Sequence, residues 1–241
     1  MLTESLFFPP VAQSRSDGML AVGGELAPDW LLDAYSHGIF PWPITDRYHR
    51  FSQLVWWSPD PRGVLEWDKI HLPKRLLRTV RNGPFEISCD TDFAGVIRGC
   101  AGSRNGDSAT WITPEMIDAY IRLHELGWAH SVEAKLDGRL VGGVYGVAIN
   151  GLFAAESMFY VVPNASKVAL VRLLDHLHIR GYGLIDIQMV TENTARFGAT
   201  EIPRRQYLRR LKKALQQTDV TFGGDMGTFP IPQTAFRLES H

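Results

Sequence analysis

Only two cysteines, Cys89 and Cys100, occur among the 241 residues. That excludes a disulfide framework and a cysteine-based metal knuckle, and points to a reducing compartment, the cytoplasm. An excess of one charge is also missing: 25 Lys and Arg stand against 26 Asp and Glu, for a formal net charge of -1. Binding of nucleic acid through bulk charge is thereby excluded, and any such contact has to come from local clustering of basic residues. Apolar runs stop short of the ~18 residues of a bilayer span. The opening MLTESLFFPP has neither the basic n-region nor the long apolar stretch of a secretory signal. With no lipidation motif either, a soluble protein is expected. Repeats and low-complexity segments are absent. The eight histidines supply no ligand set: His176 and His178 stand two apart on an expected helix, diverge and read as surface residues, so no metal site is expected.

What is present is an ordinary globular composition, 45% apolar and 21% charged, long enough for one large domain or a small one beside a medium one. Residues 1–62, dense in turn formers and aromatics, read as a small N-terminal domain, and 63–241 as the larger domain with a C-terminal tail. In the first, PDWLLDAYSHG (28–38) predicts a short helix with Pro28 in its first turn and Gly38 just past its end. IFPWP follows at once and places Phe40 and Trp42 in a loop, while WWSPDPRGVLEW (56–67) joins the two domains.

In the larger domain HLPKRLLRTVRNG (71–83) predicts a helix whose Lys74, Arg78 and Arg81 fall at i, i+4 and i+7 on one face. FEISCDT (85–91) predicts a strand. A turn-rich RNGDSA (104–109) leads to a helix capped by Thr113, opened by Pro114 and ended by Gly127. SVEAKLDGRLVGG predicts a hairpin about Asp137-Gly138, with Gly142 and Gly143 marking a bulge or a close backbone approach. NASKVALVRLLDHLHIRG (164–181) predicts a helix striped by Leu170, Leu173, Leu174 and Leu177. PRRQYLRRLKKAL (203–215) predicts a basic final helix, and the last 26 residues show no sustained period, as in a wrapping or partly disordered tail.

Two stretches stand at the centre. LVGGVYGVAINGLFAAESMF (140–159) is a pair of β-compatible runs about Asn150-Gly151, a dipeptide that accepts positive φ at both central turn positions. In LIDIQ (184–188) alternation sends Leu184, Asp186 and Gln188 to one face and Ile185 and Ile187 to the other, so two polar groups share one side of an apolar strand. Such groups either satisfy nearby backbone or carry chemistry.

The order strand, helix, antiparallel meander, helix, strand over residues 85–190 resembles the acyl-CoA N-acyltransferase (GNAT-like) fold. The implied class is α+β, a small N-terminal domain plus a C-terminal domain with a mixed, mostly antiparallel sheet flanked by helices. The motifs GMLAVGGELAPDWLLDAYSHGIFPW, WWSPDPRGVL, TWITPEMIDAYIRLHELGWAHSVE, LVGGVYGVAINGLFAAESMF, NASKVAL, IDIQ and FGATEIPRR, in this order over residues 17–213, resemble leucyl/phenylalanyl-tRNA-protein transferases.

That resemblance implies transfer of Leu or Phe, and less readily Met, from aminoacyl-tRNA to proteins beginning with Arg or Lys, marking them for N-degron proteolysis by a monomeric cytoplasmic enzyme. It implies that Trp42 and Trp111 line the site for the terminal adenosine and aminoacyl group, with Glu156, Ser157, Met158 and Phe159 beside it. Asp186 and Gln188 become the catalytic pair, Asp186 accepting a hydrogen bond from the Gln188 side-chain NH2 so that the amide carbonyl holds the incoming amine. Glu156 is left with two roles, recognition of the acceptor's cationic end or receipt of the proton. Lys74, Arg78, Arg81, Arg204, Arg205 and Arg209 would hold the acceptor stem.

The chain departs from the family pattern at Ala155, usually Gly, where an added methyl narrows the site, and at Ile187, usually Cys, which alternation turns away from the pair. An aminoacyl ester is already activated, so no cofactor is expected. Two alternatives are an acyl-CoA-dependent N-acyltransferase, against which VVPNASK offers no Gly-rich pyrophosphate loop, and a non-catalytic RNA-binding module.

Overall fold

The computed structural model describes residues 3–45, 52–102 and 110–223, and every structural statement below refers to these. RNGDSA and the tail beyond Gly223 lie outside them. The small N-terminal domain is built on a three-stranded antiparallel sheet in the order β1 (Met19–Val22), β5 (Val55–Trp57), β2 (Phe40–Pro41). The short pair β3 (Ile44–Thr45) and β4 (Ser52–Gln53) leads off it. Helix α1 (Pro28–Ser36) has Pro at its start, and Gly38 past its end takes φ +76°, as the sequence predicts. Its core is aromatic: Trp30 and Trp56 meet Phe8 at ring centroids of 5.5 and 4.7 Å, and Trp56 is fully buried.

The larger domain is a seven-stranded sheet. In chain order its strands are β6 (Arg62–Leu65), β7 (Glu86–Cys89), β8 (Ala129–Leu136), β9 (Arg139–Ile149), β10 (Leu152–Tyr160), β11 (Leu184–Gln188) and β12 (Thr200–Ile202). In space the order is β12-β6-β11-β10-β9-β8-β7, antiparallel throughout except for the parallel pair β10 and β11. That parallel pair is joined by α5 (Ala165–Arg180). The fold is thus α+β with a mixed, mostly antiparallel sheet.

Alternation assigns the two faces. Tyr145, Val147, Leu152, Ala154 and Leu184 point to a core shared with the N-terminal domain and with α3 (Phe93–Ala101), α4 (Pro114–Glu125) and α7 (Arg204–Leu215). Val144, Ala148, Phe153 and Ile185 point to a second core under α5 and α2 (Lys74–Asn82). Helix α4 starts as predicted, with Thr113 Oγ1 accepting the Met116 N–H at 3.3 Å. Helix α3, capped by Asp92 on the Gly95 N–H at 2.9 Å, was not predicted.

The β9–β10 turn takes positive φ at Asn150, 52°, whereas Gly151 serves a close approach: a Cβ there would lie 2.9 Å from the Ala214 carbonyl at the end of α7. Gly142 likewise lets the start of α5 approach β9, a Cβ meeting that of Ala165 at 2.6 Å. His176 corrects the sequence reading. It is buried, because Val220 and Phe222 fold back over α5 and its Nε2 meets the Phe222 carbonyl at 2.9 Å. His178 is exposed as expected.

Candidate active site

Strands β10 and β11 pair only through Ala154 and Asp186, then part. Each carries an extra residue at that level. In β10 the partners of β9 step from Ala155 to Ser157, leaving Glu156 as the bulge; in β11 the partners of β6 step from Asp186 to Gln188, leaving Ile187. The separation opens a cavity of about 300 Å³, walled by Ala155, Glu156, Ser157 and Met158 from β10 and by Ile187, Gln188 and Met189 from β11. Its floor is Leu170, Leu173, Leu174 and Leu177 of α5, the predicted leucine stripe, with Ile185 and Phe197. Trp42 and Trp111 stand at one side, and Thr191, Asn193 and Thr194 of the turn into α6 (Glu192–Ala195) at another.

The bulge breaks the predicted alternation at Gln188. Asp186 pairs with Val64 and faces the N-terminal domain, whereas Gln188 pairs with Gly63 and turns to the cavity. Ile187 keeps the face of Ile185, opposite Asp186, as alternation predicts; it packs against the core under α5 and also borders the cavity. Gln188 adopts φ +58°, the centre of a tight turn in which the Met189 N–H meets the Ile187 carbonyl at 2.6 Å. A non-glycine residue in that region carries strain of about 1–3 kcal/mol and persists only where its surroundings hold it. The holder is Asp186, whose Oδ1 accepts the Gln188 backbone N–H at 2.9 Å.

Asp186 therefore does not receive the Gln188 side-chain amide, as the sequence reading expected. Its oxygens are taken by that N–H, by Arg62 Nε and Nη2 at 2.8 and 2.6 Å, and by the Tyr207 hydroxyl at 2.8 Å. Arg62, Tyr207 and Asp186 are each 1% exposed. Although burial works against its charge, the Asp186 carboxylate raises the Arg62 pKa above its ordinary value. Arg62 was missed in the sequence; the available sign was an arginine heading the otherwise uncharged strand RGVL after Pro-Asp-Pro.

The Gln188 amide donates instead to Glu156 Oε1 at 3.1 Å, and its carbonyl oxygen has no hydrogen-bond partner among the described residues. Glu156 Oε2 accepts the Tyr120 hydroxyl at 3.3 Å, and Tyr120 in turn shares a short hydrogen bond with Tyr35 of α1. Burial raises the Glu156 carboxyl from 4.5 to about 8. The Tyr35 hydrogen bond opposes the rise, Asp186 adds to it, and Tyr120 and Arg62 oppose it. A carboxyl so placed is mostly protonated at neutral pH and exchanges its proton near pH 8. Tyr35, in PDWLLDAYSHG, and Tyr120, in TWITPEMIDAYIRLHELG, carry no local sign of this role in the sequence.

Trp42 and Trp111, far apart in the chain, stack at a centroid distance of 4.6 Å and 18°. Ser157 and Met158 join them at the cavity, but Phe159 does not. The Glu156 bulge switches parity, so Phe159 turns to the other face and packs over Gly99, where a Cβ would meet its ring at 2.6 Å. The basic helices are separated too. Lys74, Arg78 and Arg81 are exposed along one groove of α2, on the face that α5 covers. Arg205 and Arg209 are exposed on α7, which covers the opposite face. Arg204 is half-buried, its guanidinium held on the Ser58 carbonyl.

No helix among the described residues is long and apolar enough to cross a membrane. Among solved structures the chain is similar to the ribosomal-protein-alanine N-acetyltransferase of Brucella melitensis biovar Abortus 2308, at 16% identity and a TM-score of 0.33 over 46% of this chain and 86% of that one. By sequence it is 50% identical over 231 residues to the leucyl/phenylalanyl-tRNA--protein transferase of Nitratidesulfovibrio vulgaris (strain DP4), covering 95% of this chain and 94% of that protein. It is likewise 50% identical over 217 residues to that of Anaeromyxobacter sp. (strain Fw109-5), covering 90% of each. Residues 24–60 match the family's N-terminal domain and 64–212 its main domain, described as leucyl/phenylalanyl-tRNA protein transferase. With Trp42 in the first match and Glu156, Asp186 and Gln188 in the second, the chain belongs to the leucyl/phenylalanyl-tRNA-protein transferase family.

Proposed function

We propose that this protein moves leucine or phenylalanine, and less readily methionine, from aminoacyl-tRNA to the N-terminal Arg or Lys of acceptor proteins, marking them for N-degron degradation in the cytoplasm. The observation that carries the reading is the cavity itself: an apolar well, a tryptophan stack at its side and the Gln188–Glu156 couple between them. The well takes the aminoacyl side chain by shape, and one methylene changes such discrimination by only about 1–3 kcal/mol, so that several large apolar side chains are admitted. Because Trp42 and Trp111 already lie against each other, the terminal adenine stacks on an outer face of the pair, a contact worth about 1–3 kcal/mol.

In the transfer the amine nitrogen bonds to the ester carbonyl carbon, the bond from that carbon to the ribose oxygen breaks, the nitrogen loses one proton and the ribose oxygen gains one. The reaction is proton-neutral, so a single carboxyl can carry the proton between them. The free carbonyl of Gln188 accepts a hydrogen bond from the amine and orients it. Glu156 receives the proton that the nitrogen sheds as its bond to carbon forms and hands it to the ribose oxygen; with a value near 8 the carboxyl both takes and returns a proton near neutral pH. Asp186 acts by fixing the turn that presents Gln188. The exposed Lys74, Arg78 and Arg81 of α2 hold the acceptor stem through phosphates, on the face where the cavity floor lies.

The test offers an Arg-starting peptide together with leucyl-tRNA, acetyl-CoA or uncharged tRNA and follows peptide mass. Gain of one leucyl residue with leucyl-tRNA alone is expected. Gain of an acetyl group, or binding of tRNA without any transfer, refutes the reading.

A further inference from the structure

Arg62 touches both ends of the site without lining it. Its Nη1 donates to the Gly38 carbonyl at 3.0 Å, at the end of α1 and four residues before Trp42. The ring of Phe40, between those two, lies 4.8 Å from the guanidinium carbon, and that of Tyr207 4.6 Å on its other contact. The remaining fork grips Asp186 through both carboxylate oxygens, and Asp186 holds the Gln188 N–H. A chain of short, directional contacts thus runs from the loop that carries Trp42 to the turn that carries Gln188.

A buried ion pair is a poor device for stability, since apolar residues of equal volume often do as well. What a bidentate guanidinium adds is geometry: two parallel hydrogen bonds fix distance and angle at once, which a lysine ammonium cannot do. We propose that Arg62 is a positioning residue that sets the separation between the tryptophan stack and the Gln188 amide, so that a bound aminoacyl-adenosine presents its ester to the amine. This rests on the assignment of Trp42 to the adenosine and Gln188 to the amine. Reactions between held groups are steep in distance, about 100-fold for a displacement near 1 Å, whereas stacking on an aromatic face tolerates such a shift. Loosening the clamp therefore separates rate from affinity.

The experiment uses the full-length chain with Arg62→Lys, which keeps a cation beside Asp186 but loses the fork, and Leu211→Val in the α7 core as a destabilised control. Urea unfolding gives stability, calorimetry gives the Kd of a non-reactive leucyl-adenosine amide, and quenched flow gives single-turnover transfer from saturating leucyl-tRNA to an Arg-starting peptide. For Arg62→Lys the Kd stays within about twofold while transfer falls about 100-fold; Leu211→Val lowers the urea midpoint and leaves both readouts at the parental values. Should Arg62→Lys not fold, Phe40→Leu removes the ring over the guanidinium and is expected to give the same split at about tenfold. Parental transfer by the folded variant, or affinity and rate falling together in step with the unfolded fraction, overturns the role of Arg62. A parental protein that transfers no leucine overturns the functional reading, and this role with it.

Discussion

The two sides of strand β11 are built from similar residue types and do opposite things. Toward the N-terminal domain, Asp186, Arg62 and Tyr207 are sealed and hydrogen-bonded to one another. Toward α5, Gln188 borders the cavity with its carbonyl oxygen open, and Glu156 reaches it across the seam with a carboxyl raised to about 8. The difference lies in partners. A carboxylate given a guanidinium and two further donors becomes a fixture that holds backbone in place. One whose burial is offset only by hydrogen bonds from tyrosines and an amide, with no guanidinium bonded to it, keeps a proton that it can exchange. Reactivity follows from which carboxylate was left without a cation.

The strongest test of this contrast is on stability. Asp186→Ala leaves Arg62 charged and uncompensated in the core, so unfolding free energy should fall by about 3–5 kcal/mol in urea titration. Gln188→Asn, which tolerates the positive φ, should cost less than about 1 kcal/mol and yet lower single-turnover transfer about 100-fold. Equal stability losses in the two variants would erase the distinction between the sides.

Glu156→Gln comes next and reads out the proton. Transfer should fall about 100-fold, and the rise in rate through about pH 8 should vanish when measured with an aminooxy acceptor, whose own nitrogen is neutral throughout. The same variant has a stability signature. A carboxyl whose folded pKa is raised stabilises the fold least above that value, so the variant gains on the parent between pH 4.5 and about 8 and holds the gain above. A pH-independent difference would mean that Glu156 ionises as freely in the folded state as in the unfolded chain.

The two faces also differ in what their basic helices can reach. With α2 on the α5 face and α7 on the other, reversing Lys74, Arg78 and Arg81 to Glu should flatten the slope of log K against log salt for tRNA by about 2–3, near one unit per phosphate contact. Reversing Arg205 and Arg209 should leave the slope as it is. A response from α7 equal to that from α2 would place the acceptor stem across the sheet edge and not along one face.

Much of this was legible in the sequence because it is local. Thr113 before Pro114, Gly38 after α1, the leucine stripe of α5 and the basic row of α2 each depend on residues within a few positions of one another. The bulges were not legible. Glu156 and Ile187 are extra only relative to the neighbouring strands, and nothing within LIDIQ announces that β6 skips a residue beside it. The bulge in β11 moved Gln188 to the cavity, and the one in β10 moved Phe159 to the core. His176 was misread for a similar reason, since its cover comes from Val220 and Phe222, in a stretch with no period to reveal its destination.

The smallest expected effect lies at the residue between the two sides. Ile187 shares the face of Ile185 and lines the cavity beside Gln188, while its neighbours keep the ion pair and the turn in place. Ile187→Val removes one methyl from the wall that faces the transferred side chain. The cavity gains room near its mouth, which favours the longer ring of phenylalanine over the branched leucine. A hydrophobic wall discriminates by about 1–3 kcal/mol per methylene at most, and a flexible leucine floor takes up part of that, so the ratio of kcat/KM for phenylalanyl- to leucyl-tRNA should rise by about tenfold or less. Unfolding free energy should change by about 1 kcal/mol or less, because a half-exposed wall residue leaves little cavity behind. Competition between the two charged tRNAs in one reaction measures the ratio directly. An unchanged ratio, with stability lowered as for a core residue, would make Ile187 a packing residue of the core under α5 and not a wall for the transferred side chain.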